Sequence, residues 1–202
     1  MEEESVPFGG SQIRKSEAKI LQEIERELKI QFIKVDSIEF NTSIGFMVEN
    51  DRIKGLSLYK CEMTTLPASL FKLLFLEELN LSFNQLASLP DAIIQLTSLQ
   101  KLDLSYNMFT SIPKSVCYLT SLEELSLNVN QIESLSKSIM NLISLQKLDL
   151  RFNVLFTLPE SMKNLRKLKS LLIKDNPLVK KMEKETKILI KHLQQKGVSI
   201  TK

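Results

Sequence analysis

The sequence predicts an α/β fold of stacked repeats, in which each repeat contributes one short strand to a parallel sheet. A 23-residue unit recurs without a break over more than 100 residues, which indicates a repeat architecture. Within each unit, leucines at the fourth and sixth positions flank a polar residue, as in a strand with one buried face. An asparagine stands at the ninth position of most units. The copies begin at Ile53, Leu76, Leu99, Leu122 and Leu145, with a truncated copy at Leu168.

The leucine positions define the predicted core of the stack. Because identical units lie on one another, side chains from the same position should form continuous buried rows. The sixth-position row consists of Leu58, Leu81, Leu104, Leu127, Leu150 and Ile173. In the second half of most units, a proline follows a leucine, which favours an extended residue and then the start of a short helical turn.

The ninth-position asparagines are predicted to form a ladder at the turn that follows each strand. A buried turn leaves backbone groups without partners, and the amide of asparagine both donates and accepts hydrogen bonds. The ladder consists of Asn84, Asn107, Asn130, Asn153 and Asn176. Cys61 holds this position in the first copy, where one neighbouring repeat is absent.

The combined pattern, L-x-x-L-x-L-x-x-N-x-L-x-x-L-P-x-x-[IVLM]-x-x-L, resembles the leucine-rich repeat family over roughly residues 53–178. The 23-residue type with Leu-Pro is similar to the repeats of the Ras-group and SHOC-type intracellular proteins. This resemblance implies a right-handed solenoid with its parallel sheet on the concave face. It also implies that a partner binds on that face.

The ends of the stack should be capped, because a bare end would expose core leucines and a sheet edge. We expect a flexible tail over residues 1–12, an N-terminal cap of helix plus hairpin over 13–52, repeats over 53–177, and a C-terminal capping helix and tail over 178–202. Residues 11–32 read as one amphipathic helix, and residues 35–41 and 46–51 as strands, with Asn50-Asp51 turning the chain into Ile53. The C-terminal helix should run for about five turns and end at Gly197.

Strand residues that point away from the core form the candidate binding surface. These partner-binding candidates are Tyr59, Asn80, Phe83, Asp103, Tyr106, Ser126, Asn128, Val129, Asp149, Arg151, Phe152 and Leu172. The eighth-position residues Phe83, Tyr106 and Phe152 have two interpretations. They pack on one another beside the asparagine ladder, or they form an exposed stripe that anchors a partner, since aromatic residues are enriched at binding hot spots.

Charged residues on the same strands argue against nucleic acid as a ligand. The third-position charges alternate in sign along Glu78, Lys101, Glu124 and Lys147, so neighbouring repeats should neutralise each other and produce no single-sign field. The net charge of the chain is only +3. Asp103 and Asp149 are conceivable as an acid–base pair, but nothing beside them suggests a substrate pocket.

The resemblance implies a protein-interaction module, and with the aromatic row it leads us to expect a non-catalytic chain without cofactor, metal site or catalytic residue. No phosphate-binding, dinucleotide-binding or nucleophile-elbow motif is present. By resemblance, a small GTPase in a signalling role is the first partner to test. We expect a cytoplasmic monomer with reduced cysteines and no membrane contact. The alternative is a self-associating or structural scaffold that uses the lysine-rich C-terminal helix at a membrane surface.

Overall fold

The first elements of the chain form a hairpin and a helix rather than a tail and one longer helix. The computed structural model describes residues 3–202, so the first two residues of the expected tail lie outside it. Strands β1 (Ser5–Phe8) and β2 (Ser11–Arg14) pair antiparallel. The expectation of a flexible tail over residues 3–12 is therefore wrong. Gly9 and Gly10 make the two-residue turn, and their positive φ angles of 51° and 84° are accessible to glycine at low cost.

Helix α1 (Lys15–Leu28) packs its apolar face on the first repeat. Ile20, Leu21 and Ile24 are buried on that face, as their spacing predicts. The helix is shorter than the predicted segment of residues 11–32, because the first four residues of that segment belong to β2. The helix ends at Lys29, which takes the left-handed conformation with φ 55°.

Within the described residues, one nine-stranded sheet extends from the N-terminal cap to the last strand of the chain. It is parallel from the first repeat to the C-terminus, while β4 pairs antiparallel with β5 and parallel with β3. Its strands are β3 (Ile33–Lys34), β4 (Gly45–Glu49), β5 (Arg52–Ser57), β6 (Glu78–Asn80), β7 (Lys101–Asp103), β8 (Glu124–Ser126), β9 (Lys147–Asp149), β10 (Ser170–Leu172) and β11 (Ser199–Thr201). Asn50 and Asp51 form the turn between β4 and β5, as predicted, with φ angles of 48° and 59°.

The repeats stack in register, so residues of equal repeat position face each other. Leu79 pairs with Leu102, and Leu102 with Leu125. The sixth-position row of Leu81, Leu104, Leu127 and Leu150 is fully buried, as the repeat predicts. Opposite the sheet, each repeat makes one short 3-10 turn. These turns are Ala68–Lys72, Asp91–Gln95, Lys114–Tyr118, Lys137–Asn141 and Glu160–Asn164.

The asparagine ladder forms as predicted. In the middle of the stack, Asn130 accepts a hydrogen bond from the backbone N–H of Phe109 in the preceding repeat at 3.0 Å. Its amide nitrogen donates to the carbonyl oxygens of Leu104 and Leu127 at 3.0 and 3.1 Å. The other four asparagines repeat this arrangement. Each amide therefore ties the turn of its own repeat to the repeat before it.

The C-terminal segment differs from the single capping helix that the sequence predicts. It divides into α2 (Pro177–Lys180) and α3 (Lys184–Gln195), because Leu178 is held in the last ladder turn while Leu189 and Leu193 pack on the last repeat. Gly197, with φ 85°, follows the end of α3 as expected. The remaining residues are not a loose tail, since β11 extends the sheet beside β10.

The helices of the described chain also bear on the expectation of no membrane contact. Within residues 3–202, no helix is both long enough and apolar enough to cross a bilayer. The right-handed sense of the coil, implied by the resemblance, stays a prediction.

Candidate functional site

A groove of about 560 Å³ lies on the sheet face opposite the core, which we call the concave face. Its floor comes from strands β6 to β9, and one wall comes from Ile38, Glu39 and Phe40 of the segment between β3 and β4. Eight of the twelve predicted site residues line it. They are Asn80, Asp103, Tyr106, Ser126, Asn128, Asp149, Arg151 and Phe152.

Residues 35–41 form this wall, although the sequence predicts a strand there. The polar side chains of the first repeats hold the segment over the sheet. Asn80 donates to the carbonyl oxygens of Glu39 and Phe40 at 2.9 and 3.1 Å, and Ser57 donates to that of Thr42 at 2.7 Å. Asn80 is consequently only 2% exposed. The cap segment thus occupies the amide of Asn80, although Asn80 still lines the groove, and its role in partner binding stays a prediction.

Four aromatic rings form a cluster at the end of the groove nearest the N-terminal cap. Phe83 and Tyr106 are stacked with ring centroids 3.9 Å apart, and Phe40 contacts both at 5.7 and 5.8 Å. Tyr59 packs edge-on against Phe83 at 5.2 Å. Of the eighth-position residues, Phe83 and Tyr106 therefore pack on one another, as the packing interpretation expects, and Phe83 is half-buried.

Further along the same row, the eighth-position side chains are more accessible. Tyr106 is 38% exposed and Phe152 is 51% exposed, while Val129 between them is half-buried. Phe152 takes part in no aromatic pair among residues 3–202. Leu172, on the last repeat strand, is half-buried and lies outside the groove. The exposed stripe therefore consists mainly of Tyr106 and Phe152.

Backbone geometry explains why the eighth-position residues stand at the rim. Phe83, Tyr106, Val129 and Phe152 all adopt the left-handed region, with φ between 52° and 56°. This conformation is unfavourable for residues other than glycine, asparagine and aspartate by about 1–2 kcal/mol each. It persists because the strand on one side and the ladder asparagine on the other fix the turn. The turn ends each strand and places the aromatic side chain at the edge of the concave face.

The predicted charge ladder forms across the floor of the groove. Lys101 contacts Glu78 at 2.7 Å, and Lys147 contacts Glu124 at 3.5 Å. Arg151 holds Asp149 through its Nη2 at 2.6 Å and its Nε at 2.9 Å. The predicted site did not include these third-position charges or Phe40. The charges follow from the same two-residue alternation that identified the other candidates, whereas Phe40 lies in the cap segment outside the repeats.

A polar network covers the centre of the floor. Ser105 donates its backbone N–H to Asp103 at 2.8 Å, and its hydroxyl also contacts that carboxylate. The Ser105 and Ser126 hydroxyl oxygens lie 3.0 Å apart, and Asn128 donates to both. Burial raises the pKa of Asp103 above its ordinary value, an effect that outweighs the hydrogen bonds from Ser105.

The titratable groups do not form a recognisable reaction centre. Asp149 is neutralised by Arg151, so it does not act with Asp103 as a pair of free carboxylates. Burial raises the pKa of the Cys61 and Cys117 thiols to about 11, and both cysteines are free. Across residues 3–202, no three His, Cys, Asp or Glu side chains are grouped to hold a metal ion. Aromatic, charged and amide side chains line the groove.

In-register parallel strands, a buried asparagine ladder and one 3-10 turn per repeat define a solenoid of the leucine-rich type. The family model described as "Leucine rich repeat" matches residues 51–109 and 97–155, which together span more than half of the chain. The chain belongs to the leucine-rich repeat family.

The chain is also similar to a solved structure, a leucine-rich repeat protein of Leptospira interrogans, with 32% sequence identity and a TM-score of 0.56. The match covers 70% of this chain and 41% of that one, so the chain spans about two fifths of that protein's length. No curated protein matches the sequence. Leucine-rich repeat domains commonly mediate protein–protein interaction and are generally non-catalytic.

Proposed function

We propose that the chain is a non-catalytic module that binds a protein partner in the concave groove. The observation that carries this proposal is the exposure of Tyr106 and Phe152 at the rim of a groove with a polar floor. Accessible aromatic side chains beside a concave surface are frequent anchors of protein interfaces. The Glu78–Lys101 and Glu124–Lys147 pairs leave no surplus of positive charge on the floor, which argues against a nucleic-acid channel.

The dimensions of the surface favour a folded partner. Six parallel strands, β5 to β10, span about 24 Å at a spacing of about 4.8 Å. A surface of this width is compatible with a standard interface that buries about 800 Å² on each side. The resemblance to Ras-group and SHOC-type repeats makes a small GTPase the first partner to test. We further propose that the chain acts as a cytoplasmic monomer in signalling.

The first prediction tests the role of Phe152. We expect Phe152→Ala to weaken partner binding by about 2 kcal/mol, or about thirtyfold, because it removes the most exposed ring of the rim. Tyr118→Ala is the matched control, since Tyr118 is a 63% exposed aromatic residue on a 3-10 turn of the opposite face. Both variants should keep the thermal stability of the wild type within a few degrees.

The measurement is affinity capture from native cell extract, with and without a GTP analogue, followed by titration calorimetry of the captured protein. Proteins retained by the wild type and Tyr118→Ala but lost with Phe152→Ala are concave-face partners. A small GTPase retained only with the analogue supports the narrower proposal. Identical capture by all three baits contradicts binding at the rim.

A scaffold role is the second candidate, favoured by the two ends of the sheet and by the basic helix. β3 is an edge strand on which Ile33 is 55% exposed, and β11 forms the opposite edge. Exposed edges can pair with another copy. Six lysines on or beside α2 and α3 are also exposed, which would favour an anionic surface. Light scattering that shows a monomer at all concentrations, together with no liposome flotation, would exclude this role.

A further inference from the structure

The groove is acidic although the whole chain is basic. Five carboxylate side chains line it against three cationic ones, in a protein of net charge +3. The three cations, Lys101, Lys147 and Arg151, each contact a different carboxylate. Within residues 3–202, Glu39 and Asp103 are the two groove carboxylates with no lysine, arginine or histidine nitrogen within 4.0 Å. The unmatched charge of the groove is therefore negative.

Asp103 is the unmatched carboxylate on the floor, and the fold does not require its charge. Ser105 donates its N–H and its hydroxyl to Oδ1 of Asp103, and Oδ2 accepts no hydrogen bond within the described chain. The preceding repeat makes the same local contact with an uncharged residue. There, Ser82 donates its N–H and hydroxyl to the amide oxygen of Asn80 at 2.9 and 2.6 Å. An amide thus satisfies this turn as well as a carboxylate does.

The charge of Asp103 also has an energetic cost in the free protein. Burial raises the pKa of this carboxyl, so ionisation at neutral pH is less favourable in the fold than in water. A cation placed against Oδ2 would offset that cost, whereas an apolar or anionic group would increase it. Asp149, at the same position two repeats along, already has such a partner in Arg151.

We infer that the protein partner of the groove presents a lysine or arginine side chain to Asp103, with apolar residues beside it on Tyr106 and Phe152. Asp103 and Tyr106 belong to the same repeat and both line the groove. The exposed face of the Tyr106 ring favours a cation electrostatically, and the ring of Phe152 receives the apolar neighbours. This inference rests on the proposed function and adds the chemistry of the partner segment.

The test uses the full chain and a displayed library of random 12-residue peptides at low salt. We expect selection to enrich peptides with a lysine or arginine next to aromatic or aliphatic residues. For a selected peptide, Asp103→Asn should weaken the affinity at least tenfold without lowering the melting temperature. Asp91→Asn is the matched control, because Asp91 is exposed on a 3-10 turn of the opposite face and the substitution makes the same charge change.

A double-mutant cycle identifies the contact itself. Replacing the peptide lysine with norleucine should cause the same loss on wild type as Asp103→Asn, and no further loss on that variant. Failure to enrich basic peptides, or equal affinity for wild type and Asp103→Asn, would overturn the inference. If Asp103→Asn leaves the affinity unchanged but Phe152→Ala weakens the binding of the selected peptides, the inference fails and the proposed binding surface stands. If neither variant weakens them, both the inference and the surface are contradicted.

Discussion

Replacing Asn130 with alanine is expected to lower the free energy of unfolding by about 4 kcal/mol. The substitution leaves the buried N–H of Phe109 without a partner. It also removes one hydrogen bond each from the carbonyl oxygens of Leu104 and Leu127, which keep a second one from a neighbouring ladder asparagine. An unpaired buried N–H costs about 1–3 kcal/mol, and each of the two other lost hydrogen bonds costs about 0.5–1.5 kcal/mol. Because stacked repeats stabilise their neighbours, the loss at this central position should affect the repeats on both sides.

Equilibrium urea denaturation followed by circular dichroism measures this loss, and Cys61→Ala provides the control. Cys61 occupies the same repeat position in the first copy, but its thiol makes only a 3.7 Å contact with the Tyr59 carbonyl. We expect less than about 1 kcal/mol there. A similar cost for the two substitutions would show that the ladder amides contribute little to stability.

The repeated part of the fold could be predicted from the sequence because its packing is itself repeated. Every sixth-position leucine meets the same neighbours, so one local pattern, counted six times, determines the core row and the strand register. Asn130 lies where the repeat predicts it, since an amide at a buried turn pairs backbone groups that otherwise lack partners. Periodicity therefore carries information about tertiary contacts here, which is unusual for a single sequence.

The terminal segments lack that periodicity, and most of the errors lie there. Residues 35–41 alternate like a strand, yet Asn80 holds the backbone of Glu39 over the sheet, and Ser57 holds that of Thr42 just after it. Residues 199–201 are too few to show a pattern, and they become β11 only because β10 presents an open edge. In both places, the outcome depends on hydrogen-bonding groups that the repeats supply from far along the chain.

The candidate site contains repeat residues, whose positions the periodicity predicts, and cap residues, whose positions it does not predict. The two-residue alternation correctly brings Asp103, Asp149 and Phe152 to one face. It does not distinguish Asn80 from Asp103, which hold equivalent positions. Asn80 lies under the cap segment, whereas Asp103 lies one repeat further along and lines the groove without a cationic partner. Asn80 and Asp103 differ because the cap segment at Phe40 lies over Asn80. No local pattern around Phe40 predicts where that segment lies.

Glu17 attaches helix α1 of the N-terminal cap to the first repeat by a buried polar contact. It lies in the first turn of α1 and is only 4% exposed. Its carboxylate accepts the backbone N–H of Ile53 at 2.7 Å and contacts the Arg52 guanidinium at 3.3 Å. Burial raises the pKa of Glu17, and this effect exceeds the lowering by Ile53 and Arg52. The fold therefore needs an acceptor oxygen at Glu17 to pair the Ile53 N–H, while the negative charge of the buried carboxylate lowers the stability of the fold.

We expect Glu17→Ala to lower the free energy of unfolding by about 3–5 kcal/mol, because it leaves the Ile53 N–H and Arg52 without their partner. Glu17→Gln should cost less than about 1 kcal/mol, since the amide oxygen still accepts from Ile53. The raised pKa makes the folded state bind its proton more readily than the unfolded chain does. The wild type should therefore gain stability relative to Glu17→Gln as the pH falls from 7 through the folded-state pKa. Urea denaturation of the three proteins at several pH values measures both effects, and equal losses for the two variants would assign the contact to charge instead of hydrogen bonding.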